Sequence, residues 1–235
     1  MNNIVKPRGR KSIPSELVQF GRHLVYSEGT KTEPLYIESL KKEIADKYKC
    51  SINDISIIIA NKSKSYNTTG LIKFALDDID DKLKKGEIIN HVWFLFDKDD
   101  FPKSKFNEAC VKAKKLNNSS DKNIDGFKYN TETGITYHCC WSNESFELWL
   151  YLYFEYLDVA LTRDEYVEKI NAKLALYCIK YEKNMNNLHQ TLVDCGGSLN
   201  KAITLAKRLV KKNGNGNPST TMYEFAEYFK AYLKE

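Results

Sequence analysis

Short apolar runs alternate with longer amphipathic stretches over the first 140 residues of the chain. The runs are rich in β-branched and aromatic side chains, which is typical of buried strands. They lie at 23–27, 55–60, 92–96 and 135–141. Helices are predicted between them, one opening near Thr30 and two others near 70–85 and 104–117. This alternation predicts right-handed crossovers and an α/β fold, with a mainly parallel sheet flanked by helices.

The pattern changes to helices alone after residue 143. Helices are predicted at 143–157, 162–184, 198–212 and 219–234, with glycine-rich breaks between the last three. We therefore predict three regions. Residues 1–15 form a basic N-terminal arm, residues 16–157 an α/β domain, and residues 158–235 an all-helical extension packed on or beside it.

The first helix has sequence signals for its start. Thr30 is expected to cap it, and Pro34 suits its first turn. Glu33 stands three residues after Thr30, a spacing that favours a capping box over a role in a functional site.

Composition narrows the class of protein. The chain is 42% hydrophobic and 29% charged, which is ordinary for a globular protein. It has no apolar run of the roughly 20 residues that a membrane span needs. The N-terminus has basic residues but no apolar segment of the kind found in secretory signals. A cytoplasmic protein without membrane segments is therefore expected.

Common metal and nucleotide motifs are missing from the sequence. Its six cysteines show no CxxC spacing and are expected to be buried thiols. His23 and His138 fall within predicted strands, whereas His91 and His189 look isolated, and no zinc-hydrolase spacing links them. The chain also lacks a phosphate-binding P-loop, so any ATPase that takes part would be a separately encoded protein.

Positive charge is concentrated in two segments. The net charge of +5 is modest, but residues 6–11 and the predicted helix at 201–212 carry lysine and arginine without any acid. This distribution is compatible with a polyanionic partner such as DNA or RNA. It is equally compatible with a solvated tail and a solvated helix face.

Three acidic residues follow two of the predicted strands. Glu28 comes directly after the first strand, and Asp97 and Asp99 come after the third. If these strands are neighbours in a parallel sheet, the carboxylates converge at its carboxyl edge, where ligands bind in such sheets. Carboxylate oxygens suit Mg²⁺ or Mn²⁺, and closely spaced carboxylates need a cation or a basic side chain to offset their repulsion. By itself, an Asp-x-Asp pair is also common in acidic surface turns.

Four ordered motifs resemble the RloB family, which carries a Toprim-like domain. They are Glu28-Gly29-Thr30-Lys31-Thr32-Glu33, Asp97-Lys98-Asp99, Ser142-Asn143-Glu144-Ser145-Phe146-Glu147-Leu148-Trp149 and Asn217-Pro218-Ser219-Thr220. The resemblance spans nearly the whole chain. It departs from the family pattern at Glu144, where proline is usual, and at Tyr153, where histidine is common.

The resemblance implies a Toprim-like fold and a metal nuclease of bacterial restriction-associated loci, acting in phage defence by abortive infection. It implies that Glu28 serves as metal ligand or as acid and base. It also implies that Asp97 and Asp99 hold Mg²⁺ or Mn²⁺.

Five neighbouring residues are candidates for supporting roles. Glu147, one turn into a predicted helix, could be a fourth metal carboxylate, could orient Lys98, or could be a partner of the helix dipole. Lys31 lies at a helix N-terminus, which suits phosphate, and Lys98 could contact a phosphate or form a salt bridge. Asn143 is expected to cap its helix, with a secondary chance of contacting substrate. Lys183 could join the basic helix in an electrostatic track for nucleic acid.

Three functions remain open at this point. The first is a metal-dependent phosphodiesterase that cleaves DNA or RNA. The second is a non-catalytic subunit that binds nucleic acid or an ATPase partner. The third is a phosphotransferase of the haloacid-dehalogenase type, which the lack of a Gly-Thr after Asp-x-Asp disfavours. Whether the chain forms oligomers stays open.

Overall fold

A computed structural model describes residues 21–60, 68–98, 111, 115–117, 123–124, 127–128 and 134–233. Five of its strands form one sheet in the order β2-β1-β3-β6-β7, and β4 pairs with β5 in a separate hairpin. The strands are β1 (His23–Ser27), β2 (Ile57–Ile59), β3 (His91–Asp97), β4 (Asn123–Ile124), β5 (Phe127–Lys128), β6 (Thr136–Asn143) and β7 (Ser219–Thr220).

Helices flank this sheet on both faces. They are α1 (Thr32–Tyr48), α2 (Thr68–Lys84), α3 (Phe146–Tyr151), α4 (Arg163–Leu174), α5 (Leu188–Asp194), α6 (Leu199–Asn213) and α7 (Met222–Lys230), with short 3₁₀ turns at Ile52–Asp54 and Ala175–Tyr177. The predicted helix at 104–117 falls almost wholly outside the described residues, which show helix at 111 and 115–117.

Parallel pairing confirms the predicted α/β fold. Strand β1 lies between β2 and β3 and is parallel to both, and β3 is also parallel to β6. In this register Ser27, the last residue of β1, stands beside Leu95, and β3 continues for two more residues to Asp97. The condition under which the carboxylates of Glu28 and Asp97 come to one edge, that the first and third strands are parallel neighbours, is therefore met.

The prediction of an all-helical region after residue 158 is wrong at one point. Ser219 and Thr220 form β7, which pairs antiparallel with the end of β6. Helix α7 then begins at Met222 instead of residue 219. Thr221 fixes this turn, because its backbone N–H donates to the Trp141 carbonyl and its hydroxyl accepts from the Trp141 N–H.

The side chains of β3 point alternately to the two faces of the sheet, and each face has its own hydrophobic core. Trp93 and Leu95 pack with α1 and with helices α3 to α7. Val92, Phe94 and Phe96 point the other way and pack with α2. The C-terminal helices thus bury their apolar faces in the same core as the sheet, on the side of α1.

Several helix boundaries differ from the predicted ones. Helix α3 begins at Phe146, three residues later than expected, because β6 continues through Asn143. Helix α4 begins as predicted but ends at Leu174, and Cys178 then adopts a left-handed backbone with φ of 58°. The following segment includes α5, which the sequence pattern did not reveal. In the described part of the chain, no helix is both long and apolar enough to cross a bilayer.

Candidate active-site cleft

An open cleft of about 310 Å³ lies at the carboxyl ends of β1 and β3. It is lined by the segment 28–33, which links β1 to α1, and by Asp97, Phe146, Glu147, Arg163 and Lys183. This is the edge of a parallel sheet at which ligands bind. Four carboxylates and three cationic side chains therefore share one small space.

Glu28 and Asp97 reach this cleft as the sequence predicts. The backbone N–H of Glu28 donates to the Leu95 carbonyl at 2.9 Å, which extends the β1–β3 pairing by one residue. Asp97 is the last residue of β3. Asp99, the third predicted ligand, lies outside the described residues.

Glu33 lines the cleft and does not form the predicted capping box. Helix α1 begins at Thr32, and its N-cap, Lys31, makes no side-chain capping bond. The Glu33 carboxylate instead folds back over Gly29, where an added Cβ would stand 2.2 Å from Oε2. The side chain is buried, with 6% of its surface exposed.

The environment of Glu33 favours its neutral form. Burial is the main cause that raises the pKa of this carboxyl, and the nearby charge of Glu147 raises it further. Hydrogen bonds with the backbone of Glu33 and Gly29 and the charge of Arg163 act in the opposite direction. The net effect is a raised pKa, since a buried carboxylate loses its hydration.

Arg163 is the main residue of the cleft that sequence reasoning missed. Its Nη2 atom donates to Asp97 Oδ2 at 2.8 Å, and its Nε atom lies 3.6 Å from Glu147 Oε2. The other oxygen of Glu147 accepts from the Tyr181 hydroxyl at 3.1 Å. A basic side chain thus provides the compensating charge that the converging carboxylates require.

The sequence shows that Arg163 lies at the start of a helix, but it does not show where the side chain points. Thr162 and Glu165 form a capping box, so the start of α4 is readable from the sequence. The helix start places Arg163 at the first helical position. Only the packing of α4 against α3 turns its guanidinium toward the cleft.

The cleft offers the right donor atoms for a hard cation. Carboxylate oxygens are the ligands that Mg²⁺ and Mn²⁺ prefer. Within the described ranges, however, no three acidic, histidine or cysteine side chains are grouped to hold a metal ion. The Arg163 guanidinium contacts both Asp97 and Glu147, so these two carboxylates already have a cationic partner.

Two of the predicted basic residues line the cleft, whereas Lys98 and Asn143 are not part of its lining. Lys31 and Lys183 are both on its wall. Lys98 is 8% exposed, lies 5.8 Å from the centre of the Trp141 ring, and donates to the Asn215 carbonyl.

Asn143, the predicted helix cap, is the other candidate outside the lining of the cleft. It also donates to the Asn215 carbonyl, at 3.1 Å. The prediction that it caps a helix is wrong, because it ends β6 and Ser145 holds the N-cap position of α3. Glu144, which follows Asn143 across a cis peptide, accepts from the backbone N–H of Arg163 at 3.2 Å.

Two histidines that look isolated in the sequence are not isolated in the fold. His189 is buried between Glu43, whose Oε2 lies 3.0 Å from Nε2, and Tyr153, whose hydroxyl is 2.7 Å from Nδ1. The Tyr153 hydroxyl also bonds to that of Tyr36 at 2.7 Å.

A pair of histidines lies near the amino ends of β3 and β6. His91 Nδ1 is 3.1 Å from His138 Nε2, and the Tyr228 hydroxyl is 2.9 Å from His91 Nε2. Burial lowers the pKa of His138 to about 4, with a smaller contribution from the neighbouring His91. Both histidine groups are remote in sequence from their partners, so spacing could not have found them.

Comparison with known proteins gives one match. The family model described as RloB-like protein matches residues 23–228, which is most of the chain. No curated protein and no solved structure shows significant similarity to it.

Proposed function

Because the chain belongs to the RloB-like protein family, we propose that it is a metal-dependent nuclease of the Toprim type that hydrolyses phosphodiester bonds of DNA or RNA. The observation that carries the proposal is the meeting of Glu28 and Asp97 with basic residues in one cleft at the carboxyl edge of a parallel sheet. A role in bacterial defence against phage, by abortive infection, belongs to the same proposal.

Glu28, Asp97 and Asp99 would hold Mg²⁺ or Mn²⁺, with Glu147 as a further carboxylate. When bound, such a cation supplies an activated water and offsets the charge that develops on the phosphate. The donor chemistry of the cleft supports this assignment, since hard cations bind carboxylate oxygens.

The remaining residues of the cleft bind the substrate phosphate or hold Glu28 in position. Lys31 stands at the N-terminus of α1, where backbone N–H groups and the helix dipole favour a phosphate. Lys183, whose carbonyl accepts from the Thr32 hydroxyl at 3.4 Å, offers a second positive charge in the cleft. Glu33 holds the turn after β1 by packing on Gly29, which positions Glu28 at the mouth of the cleft. Glu28 is the proposed acid and base, because it follows the strand directly and lines the cleft.

The decisive experiment compares the wild-type protein with Asp97→Asn on plasmid DNA, single-stranded DNA and total tRNA, with Mg²⁺ or Mn²⁺. We expect Asp97→Asn to lower cleavage by roughly a hundredfold or more, since a catalytic carboxylate stabilises the transition state. Asp194→Asn, a change of the same type on an exposed helix position, should cleave like wild type. If folded Asp97→Asn cleaves as fast as wild type, the proposed nuclease site is wrong.

A second candidate function is a non-catalytic subunit that binds nucleic acid or a separately encoded ATPase. The observation in its favour is that Arg163 already neutralises Asp97 and Glu147. This function requires binding that persists in EDTA and weakens as salt rises, with no cleavage of any substrate. Filter binding with and without EDTA separates the two functions.

A further inference from the structure

The backbone of Arg163 is held in place by hydrogen bonds, and its side chain is partly exposed. The capping box of Thr162 and Glu165 fixes the first turn of α4, and Glu144 accepts from the Arg163 N–H. The Arg163 side chain is nevertheless 35% exposed, compared with 15% for Asp97 and 3% for Glu147. Solvent therefore reaches the guanidinium, and a turn about its side-chain bonds does not require α4 to move.

Arg163 contacts the two carboxylates at different distances. Glu147 has a second, buried partner in the Tyr181 hydroxyl at 3.1 Å, and its contact with Arg163 is a long one at 3.6 Å. The contact of Arg163 with Asp97 is shorter, at 2.8 Å, and it uses the oxygen Oδ2 of a proposed cation ligand. A guanidinium and a divalent cation therefore compete for the same carboxylate.

We propose that Arg163 is the exchangeable counter-cation of the cleft, bound to Asp97 when no divalent cation is present and turned to the substrate phosphate when one binds. This inference rests on the proposed function. The negative charge of the carboxylates is balanced with and without the divalent cation, because one positive group replaces the other. The exchange also delivers a planar, bidentate donor to the phosphate only when the cleft is loaded.

The proposal predicts the direction in which the affinity for a divalent cation changes when the Arg163 guanidinium is removed. A guanidinium within contact distance of Asp97 opposes a divalent cation there, both by charge repulsion and by occupying Oδ2. Removing the guanidinium should therefore tighten cation binding. If Arg163 served only to hold Asp97 and Glu147 in position, its removal would leave repelling carboxylates in disorder and would weaken cation binding.

The experiment is a calorimetric titration of the full-length protein with Mn²⁺, paired with a cleavage assay at saturating Mn²⁺. Arg163→Met removes the charge and keeps much of the side-chain length. We expect it to bind Mn²⁺ about tenfold more tightly than wild type, because the competing charge is gone. We expect its cleavage rate to fall by about tenfold to a hundredfold, because the phosphate loses a donor.

Lys173→Met is the matched control. Lys173 lies near the other end of the same helix and forms an ion pair with Glu155, so the variant loses the same charge away from the cleft. It should match wild type in both Mn²⁺ affinity and cleavage. Arg163→Gln is a second neutral variant with the same expected result, to be used if circular dichroism shows that Arg163→Met does not fold.

The outcomes separate this inference from the proposed function. If wild type binds Mn²⁺, Asp97→Asn loses that binding, and the neutral variants at Arg163 bind Mn²⁺ no more tightly than wild type, the exchange is refuted while the metal site stands. Cleavage by Arg163→Met at the wild-type rate would also overturn it. If wild type neither binds Mn²⁺ nor cleaves, the proposed function is wrong, and the exchange is wrong with it.

Discussion

Gly29→Ala tests whether the turn after β1 is built on the contact between Gly29 and the Glu33 carboxylate. An added Cβ would lie 2.2 Å from Oε2 and 2.5 Å from Oε1 of Glu33. Ordinary carbon contacts are about 3.5–4.0 Å, so the carboxylate would have to move by more than about 1 Å. Glu33 is buried, and such a movement breaks its hydrogen bonds with the backbone.

The expected cost follows from these contacts. Overpacking a buried site costs about 1–3 kcal/mol, and the lost hydrogen bonds of a buried carboxyl place the total in the upper half of that range. For a chain of this size, about 2–3 kcal/mol corresponds to a fall in Tm of roughly 5–10 °C. The backbone of Gly29 has no positive φ, so the steric contact and not backbone strain determines the result.

The assay is urea unfolding of four proteins: wild type, Gly29→Ala, Glu33→Ala and the double variant. If the carboxylate is the obstacle, Gly29→Ala should cost less than about 1 kcal/mol when Glu33 is already alanine, because neighbouring changes are not additive. An equal cost in both backgrounds would refute the reasoning, as would a Gly29→Ala protein as stable as wild type.

Two further predictions concern the histidine groups. The pKa of His138 is lowered to about 4 by burial and by His91, so between pH 6.5 and 4 the unfolded chain binds more protons and stability falls as pH falls. Because His138 is partly exposed, we expect the free energy of unfolding to fall by only about 1 kcal/mol from pH 7 to pH 5. Urea unfolding at both pH values should show a smaller fall for His138→Gln than for wild type. Equal falls in the two proteins would contradict this prediction. Tyr153→Phe removes the hydroxyl that bonds to both Tyr36 and His189. We expect thermal unfolding to show a free energy of unfolding about 1–3 kcal/mol lower than that of wild type. A smaller decrease would mean that these hydroxyl hydrogen bonds do not stabilise the fold.

The sheet could be predicted from the sequence because its strands are marked by composition. Strands β1 and β3 are covered on both faces, so they form apolar runs that end at Glu28 and Asp97. The positions of these two acids at one edge follow from parallel pairing alone. The two-residue strand β7 could not be predicted in this way, because two residues are too few to show a period.

The cleft could be predicted only in part, because side-chain direction depends on tertiary contacts. Glu33 has the spacing of a capping residue, yet it turns toward Gly29 because the glycine leaves room for the carboxylate. Arg163 is remote in sequence from Asp97, its partner in the cleft. Neither contact has a local pattern that a periodicity or a motif could reveal.

The pairing of β7 with β6 has a consequence for how the chain is synthesised and folded. The Ser142 and Thr220 hydroxyls, which bond to each other, are 78 residues apart in sequence. Until a ribosome has released residues 219–221, the carboxyl end of β6 lacks its pairing with β7, and an open strand end can pair with another chain. We therefore expect a chain cut before Ser219, which also loses the buried Phe225 and Phe229 of α7, to aggregate during expression.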